Sequence, residues 1–319
     1  MTRRERNISA AVGVAVILLV SVPSCEAWSN GNQAHNATRS EHGMGEAKSY
    51  KSPGRVEDSR RDTIMTEQQT VERIRQKDWS LVEEPGKLSA DAAPGIMALL
   101  DDDDSQVREL AIYCLNELGG GVARRGFLRA LKDPDDQVSS AACQFLQTNH
   151  DKGDLPILLE ELTTNEDEYV REQVALVIGR IGESRTIATL KSRQEHELDA
   201  DTRHGFSLAL TRLGDDESRQ AYFDRLQQNE PRQLALALRD FEYICDRTML
   251  PKIMPLLDNK RDAVKVGPSG RAHFIRVCDV VVNVLDVVLD HPFSFDINQI
   301  RQYSQEQLDE ARSVVSKIK

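Results

Sequence analysis

The sequence is short of the residues that build β-rich cores and most enzyme centres. Aromatic residues make up 5% of the 319, too few for an aromatic-filled sandwich. Leu, Val, Ala, Glu, Asp and Arg are plentiful, which favours helices packed through aliphatic side chains. There are seven histidines. His150, His196, His204, His273 and His291 are scattered without ligand spacing, and His35 and His42 sit in a polar stretch, so no metal centre is expected. The sequence has no His-Glu-x-x-His, no Gly-x-Ser-x-Gly and no Gly-x-x-x-x-Gly-Lys. The zinc-protease, hydrolase and P-loop readings therefore fall away. Positive charge is in deficit, with 41 Lys and Arg against 52 Asp and Glu and a net charge of −11. A general nucleic-acid binder needs the reverse balance.

After the first thirty residues no apolar run is long enough to cross a membrane. The exception is "MTRRERNISAAVGVAVILLVSVPSCEAWSN", which opens with Arg3, Arg4 and Arg6. It continues through residues 8–22 with only Ser9 and Ser21 interrupting an apolar run. This is the layout of a signal peptide, and the run is shorter than the ~20 residues of a usual span. Cleavage after Ala27 gives a signal peptide of 1–27, with Cys25 at the small −3 position. "VPSC" also resembles a lipobox, which shortens the signal to 1–24 and places a lipid on Cys25, although Pro23 is unusual there. An uncleaved anchor is the third option. All three predict export by the secretory route, to the periplasm or the outside. Membrane contact then occurs only through an N-terminal lipid or anchor. Residues 28–63 are polar and aperiodic, and they are predicted to form a flexible tether. The tether contains the sequon Asn36-Ala37-Thr38, which matters only in a eukaryotic secretory pathway.

Beyond the tether the sequence repeats. From Val107, apolar residues fall at offsets 0, 3, 4, 7, 8 and 11, occupied by Val107, Leu110, Ala111, Cys114, Leu115 and Leu118. This is one face of a helix. The pattern restarts at Val138, Val170, Thr202 and Leu234, at spacings of 31, 32, 32 and 32. It returns at Phe274 after 40, with the excess held by "KRDAVKVGPSG". Asp104, Asp135, Asp167 and Asp199 precede the first four starts by three residues, where a carboxylate caps the first turn; Pro231 stands there in the fifth. Gly119, Gly182 and Gly214 follow at offset twelve and suit the left-handed residue that closes a helix. A shorter apolar segment precedes each long one, from "APGIMALL" to "LPKIMPLL". Each unit is thus a helical hairpin whose faces only its neighbours can bury.

"DDSQVRELAIYCLNELG", "DEYVREQVALVIGRIGESR" and "DADTRHGFSLALTRLGDDES" resemble HEAT repeats of the short bacterial, phycobilisome-lyase HEAT-like type. The Asp-x-x-Val-Arg entry and Leu/Ile-Gly exit carry the resemblance over residues 88–289. Departures are Ser139 for Arg, His150 for Gly, Pro231 and Ala235. The resemblance implies an all-α fold, a right-handed α-solenoid of about six HEAT-like hairpins. The predicted divisions are a capping segment at 64–87, repeats at 88–290 and a C-terminal helical cap at 291–319. Within that cap, 292–297 dock and a helix starts near Ser304, whose Ser-x-x-Gln is a capping box. Either end is alternatively a partner-binding tail.

Arg108, Arg171 and Arg203 share one offset. They form either a basic ladder for an acidic partner or inter-repeat bonds to acids and carbonyls. Cys114, Cys143, Cys245 and Cys278 are expected to be core thiols, with a Cys114–Cys143 bridge as the alternative in an oxidising compartment. The run Asp101-Asp102-Asp103-Asp104 lacks the graded oxygens, Gly and closing Glu of a calcium loop. It is therefore read as a turn ending in a cap, with a weak cation contact as the alternative. "GPSGR" is read as a turn, with anion binding by its amides as the alternative. The expected function is a non-catalytic extracytoplasmic scaffold that binds a protein or peptide on its concave, long-helix surface, without cofactor or nucleic acid. The resemblance also implies an alternative, a lyase-like enzyme or enzyme auxiliary related to bilin-lyase HEAT-like proteins. A DNA-binding solenoid is disfavoured by acidity and export.

Overall fold

A computed structural model describes residues 64–267 and 272–318. The expected signal peptide, Cys25, the tether of 28–63 with its sequon, His35 and His42, and most of "GPSGR" lie outside the described residues. The chain begins with α1 (Glu67–Arg75) and α2 (Ser80–Glu83). Six hairpins follow, each an A helix and a B helix, the B helix being the longer except in the second, where both have 11 residues. They are α3 (Ala93–Ala98) with α4 (Ser105–Leu118), α5 (Gly120–Ala130) with α6 (Asp136–Leu146), and α7 (Leu155–Thr164) with α8 (Glu168–Ile181). Next come α9 (Ile187–Gln194) with α10 (Ala200–Leu213), α11 (Asp216–Leu226) with α12 (Pro231–Ile244), and α13 (Leu250–Ile253) with α14 (Val277–Val288). The last helix is α15 (Gln305–Ser316). No described helix is long and apolar enough to cross a membrane.

The architecture is an all-α solenoid. Each B helix packs directly against the next, whereas neighbouring A helices touch only marginally, α11 and α13 the most. The tighter row is the inner side of the curve, so the B helices line the concave surface. Val107, Leu110, Ala111, Cys114 and Leu115 of α4 are buried, as are most of the equivalent residues of the later B helices. Transfer of such side chains from water stabilises by roughly 1.5–3 kcal/mol each. The core is nonetheless divided. One apolar cluster runs from Ile74 to Leu210 and a second from Tyr222 to Ala311. At the divide, between α9, α10 and α11, lies an open cleft of about 360 Å³ lined by Lys191, Gln194, His204, Leu208, Tyr222 and Arg225 among others.

The B helices start on carboxylates. The side chains of Asp104, Asp135, Asp167 and Asp199 accept hydrogen bonds from the backbone N–H groups of Gln106, Gln137, Tyr169 and Thr202 at 2.8–2.9 Å. In the fifth repeat the cap shifts by one. Pro231 is not the cap but the first helical residue, where a missing N–H and fixed φ do no harm, and Glu230 caps Gln233. Gly182 and Gly214 close their helices in the left-handed conformation. Gly119 has positive φ but extended ψ (67°, −167°) because α5 begins at the next residue.

The last repeat departs from the all-helical expectation. Residues expected to loop out form β1 (Asp262–Val266), which pairs antiparallel with β2 (His273–Arg276). Phe274, expected as the first buried residue of the helix, lies in β2 opposite Lys265 and is 44% exposed. β-branched residues alternate here at period two, which suits a strand. The helix start is set instead by Asp279, whose carboxylate accepts from the Arg276 backbone N–H at 2.8 Å. Among the described residues this hairpin is the only sheet.

Polar side chains fasten the C-terminal segment over α14. Buried Asp279 accepts from the Tyr303 N–H at 2.9 Å, and the Tyr303 hydroxyl donates to Asn283 at 2.7 Å. Asp286 pairs with His291 at 2.6 Å, and Phe293 stacks on Phe295. Ser304 and Gln307 make the capping box of α15. At the other end Thr66 and Gln69 do the same for α1. Trp79 meets Tyr113 edge-on, and Tyr113 meets Phe145.

Cys114, Cys143 and Cys278 are buried thiols outside any disulfide, so no bridge joins Cys114 to Cys143. Burial pushes the Cys114 thiol up to about 12. Cys245 differs from these three in being half-buried, at the left-handed residue that closes α12.

The caps predict an acid limit to stability. The Asp199 carboxyl is held below the ordinary aspartate value, chiefly by the Thr202 backbone N–H; Asp104 is lowered chiefly by Lys77. A pKa lowered in the folded state gives stabilisation that is complete above the unfolded value of about 4 and lost as pH falls through the folded one. The Tm is expected to drop below about pH 4 in a melting series from pH 7 to 3. At pH 7, Asp199→Ala should cost about 0.5–2 kcal/mol in urea unfolding.

Candidate functional site

The three aligned arginines stand at the turns between the A and B helices of their own repeats. Arg108 forks onto Asp133 of the next turn with Nε and Nη2 at 2.8 and 2.9 Å. Its Nη1 donates to the Asp102 carbonyl of its own turn at 2.8 Å. Arg171 repeats the arrangement on Glu197 at 2.8 and 2.7 Å and on the Asn165 carbonyl at 2.9 Å. Arg203 reaches the Glu197 carbonyl of its own turn at 3.1 Å. Two of the three therefore bond acids of an adjacent repeat, and the partner-binding ladder is not the arrangement these side chains adopt. Bidentate pairing raises the pKa of both Arg108 and Arg171. Burial pushes Glu197 up, but Arg171 and Arg193 together hold it below the ordinary glutamate value.

Where Ser139 replaces the arginine, other groups make the link. The Asn165 side-chain amide donates to the Leu131 carbonyl at 3.0 Å, and Lys132 pairs with buried Glu161 at 2.9 Å. The aspartate run is likewise committed to protein partners. Asp101 pairs with Arg129, Asp104 with Lys77, and Asp102 accepts from the Asp104 N–H at 3.1 Å. Among the described residues no group of three or more His, Cys, Asp or Glu could hold a metal ion.

A different set of side chains gathers on the concave surface, at the C-terminal ends of the B helices. Tyr243 of α12 crosses α10 and donates its hydroxyl to the Leu176 carbonyl of α8 at 2.6 Å. Gly179 makes the crossing possible: a Cβ there would run into the Tyr243 hydroxyl and come 2.9 Å from the Ala209 Cα. The guanidinium of Arg180 lies 5.0 Å from the Tyr243 ring centre and that of Arg212 5.4 Å, within the range of cation–π attraction. Arg180 Nε donates to the Gln147 side-chain oxygen at 3.1 Å. Arg212 donates to the carbonyls of Tyr243 and Ile244. His150 sits close by, its Nδ1 2.9 Å from the Leu146 carbonyl. Burial lowers the pKa of Arg180, Arg212 and His150. The two arginines also depress His150, and Arg180 depresses Arg212. The cluster ties the two halves of the divided core together, and it concentrates positive charge on an acidic chain.

Sequence reasoning passed over this cluster, although part of it was visible. Arg180 and Arg212 stand 32 residues apart, each two residues before a closing glycine, in "GRIG" and "TRLG". Tyr243 carried no such signal, because its partners lie one and two repeats away.

Residues 155–239 match the family model for HEAT repeats, and residues 93–122 match the model for the HEAT repeat. The chain therefore carries HEAT repeats. No curated protein matches it by sequence. Similar solved structures include the complex of CpcE and CpcF of phycocyanin lyase from Nostoc sp. PCC7120. That match has 17% identity and a TM-score of 0.47, and it covers 87% of this chain and 100% of that one. Human deoxyhypusine hydroxylase in complex with glycerol is similar at 16% identity and a TM-score of 0.29, over 70% of this chain and 94% of that one.

The turn pairs generate a stability prediction. Arg171 and Glu197 keep only 11% and 1% of their side-chain surface, so truncating one strands the other's charge. Arg171→Ala should cost on the order of 3 kcal/mol, and Arg203→Ala about 1 kcal/mol or less. Denaturant unfolding of the two variants checks the ordering.

Proposed function

We propose that this HEAT-repeat solenoid is an exported, non-catalytic scaffold that binds a protein or peptide on its concave B-helix surface. One observation carries the reading: the inner row offers a continuous curved surface across several repeats. The conspicuous repeated charges are spent on holding turns together. A solenoid has no closed interior, so its largest shaped surface is the inside of its curve. Recognition there works by presentation of side chains from several repeats to one extended ligand.

Export rests on the basic and apolar N-terminus, whose two cleavage positions differ chemically. Mass spectrometry of the secreted or membrane fraction separates them. Signal peptidase cleavage leaves a free Trp28, and lipoprotein processing leaves a lipidated Cys25. Recovery of unprocessed Met1 in the cytoplasmic fraction alone would remove the export proposal.

The docking proposal is tested by affinity capture from the exported fraction, with the chain from residue 28 as bait. Enrichment of a defined protein at stoichiometric yield is expected. Failure to enrich any protein, together with turnover of a small molecule by the pure chain, would overturn the scaffold reading.

A further inference from the structure

We infer that Arg180 and Arg212, set around the Tyr243 ring, form the anchor point for an acidic peptide segment of the partner, taking two of its carboxylates. The inference rests on the docking reading above and names the chemistry of the occupant.

Four observations support it. The first is the balance of charge around Arg180. Its Nε is used by Gln147, and among the described residues its electrostatic surroundings contain the Tyr243 ring and no carboxylate. Other half-buried arginines of this chain, such as Arg108, Arg171 and Arg276, each hold a carboxylate directly. A half-buried guanidinium without an anion leaves solvation unreplaced, and an incoming carboxylate restores it with two charge-assisted hydrogen bonds.

The second is the proximity of a second cation. Arg180 and Arg212 flank one ring; burial is the main cause of the lowered pKa of Arg212, and the charge of Arg180 adds to it while Asp246 opposes it. His150 feels both of them. Helix C-termini and the ring offset some of this repulsion, and negative charge from a ligand offsets it further.

The third is rigidity. Tyr243 is fixed at both ends, by its hydroxyl on Leu176 and by its own carbonyl, which accepts from Arg212. The two guanidiniums are therefore held in place before a ligand arrives, which lowers the ordering cost of binding.

The fourth is continuity with an apolar surface suited to a peptide. Leu236 lies seven residues before Tyr243 on α12, on the same helical face, and is 45% exposed. Arg232 and Arg239, on the same helix, are exposed too. A segment that combines Asp or Glu with an apolar residue matches this face in charge and character. The local positive charge argues against a basic segment.

The test uses the chain from residue 28 and two fluorescent probes, hexaglutamate and hexaglutamine, followed by anisotropy at low and high salt. Hexaglutamate should bind, with an affinity that falls as salt rises, and hexaglutamine should bind at least tenfold more weakly. The double variant Arg180→Gln, Arg212→Gln should lose at least tenfold in hexaglutamate affinity, and Arg185→Gln, an exposed arginine beside the A helix α9, should change it less than twofold. The double variant Arg180→Lys, Arg212→Lys keeps the charge and should recover part of the loss. Circular dichroism reports whether each variant is folded. If the glutamine pair unfolds, the lysine pair and Tyr243→Phe, which keeps the ring and both arginines, supply the comparison. Equal binding of the two probes, or unchanged hexaglutamate affinity in the folded glutamine variant, would overturn the inference. If hexaglutamate fails while capture still enriches a protein, the acidic anchor falls and the docking reading stands. If hexaglutamate binds at Arg180 and Arg212 while capture enriches nothing, the anchor stands and the docking reading falls.

Discussion

Burial of one B helix against the next is the interaction on which the rest of this structure depends. A helical hairpin of about thirty residues cannot cover both of its apolar faces. Each repeat is therefore incomplete until its neighbour arrives, and the chain must end in something else. Here α1 and α2 cover the first repeat, and the segment ending in α15 covers the last. The near-wholly buried α14, with Asp279, Asn283 and Asp286 among its valines, shows what the end of such a stack requires. Its polar side chains are buried only because Tyr303, Arg276 and His291 meet them.

Position within the repeat decides what an arginine does. Arg171 and Arg180 lie on the same helix nine residues apart. Arg171 lies beside the A–B turn of its own repeat, where Glu197 of the next repeat's A–B turn is one repeat step away and the pair is nearly dry. Arg180 leaves from the other end onto the open curve and meets an aromatic ring. The aligned offset of Arg108, Arg171 and Arg203 suggested a surface ladder, but alignment along a solenoid equally places side chains beside the same feature of each successive turn. The rungs are uneven for that reason. Ser139 breaks the series, and Asn165 with Lys132 and Glu161 restores the link by other chemistry.

Much of the fold was legible because its determinants are local. The aspartate caps and the Ser304 capping box lie within four residues of the backbone they govern, and each apolar face is written within one helix. The β1–β2 hairpin was not legible while "KRDAVKVGPSG" was treated as excess length, although its alternating pattern held the signal. Phe274 was misplaced because it continues the helical spacing of Val277, Val281 and Val282 by coincidence, and Asp279 starts the helix later. The fork of Arg171 onto Glu197 needs the turn-to-turn register, which no single repeat contains. The Tyr243 crossing joins residues 67 apart and depends on Gly179 having no side chain. It also links a helix of the first apolar cluster to one of the second.

The claim that most needs testing is that the partner lies along the B row. Leu236 on α12 and Ile157 on α7 offer a matched pair, 45% and 43% exposed on the inner and outer rows. A photo-crosslinking amino acid placed at each site, with irradiation in the exported fraction, reads the occupied face directly. The account predicts a covalent adduct with one defined partner from position 236 and none from position 157. Adducts of equal yield from both positions, or from position 157 alone, would contradict it.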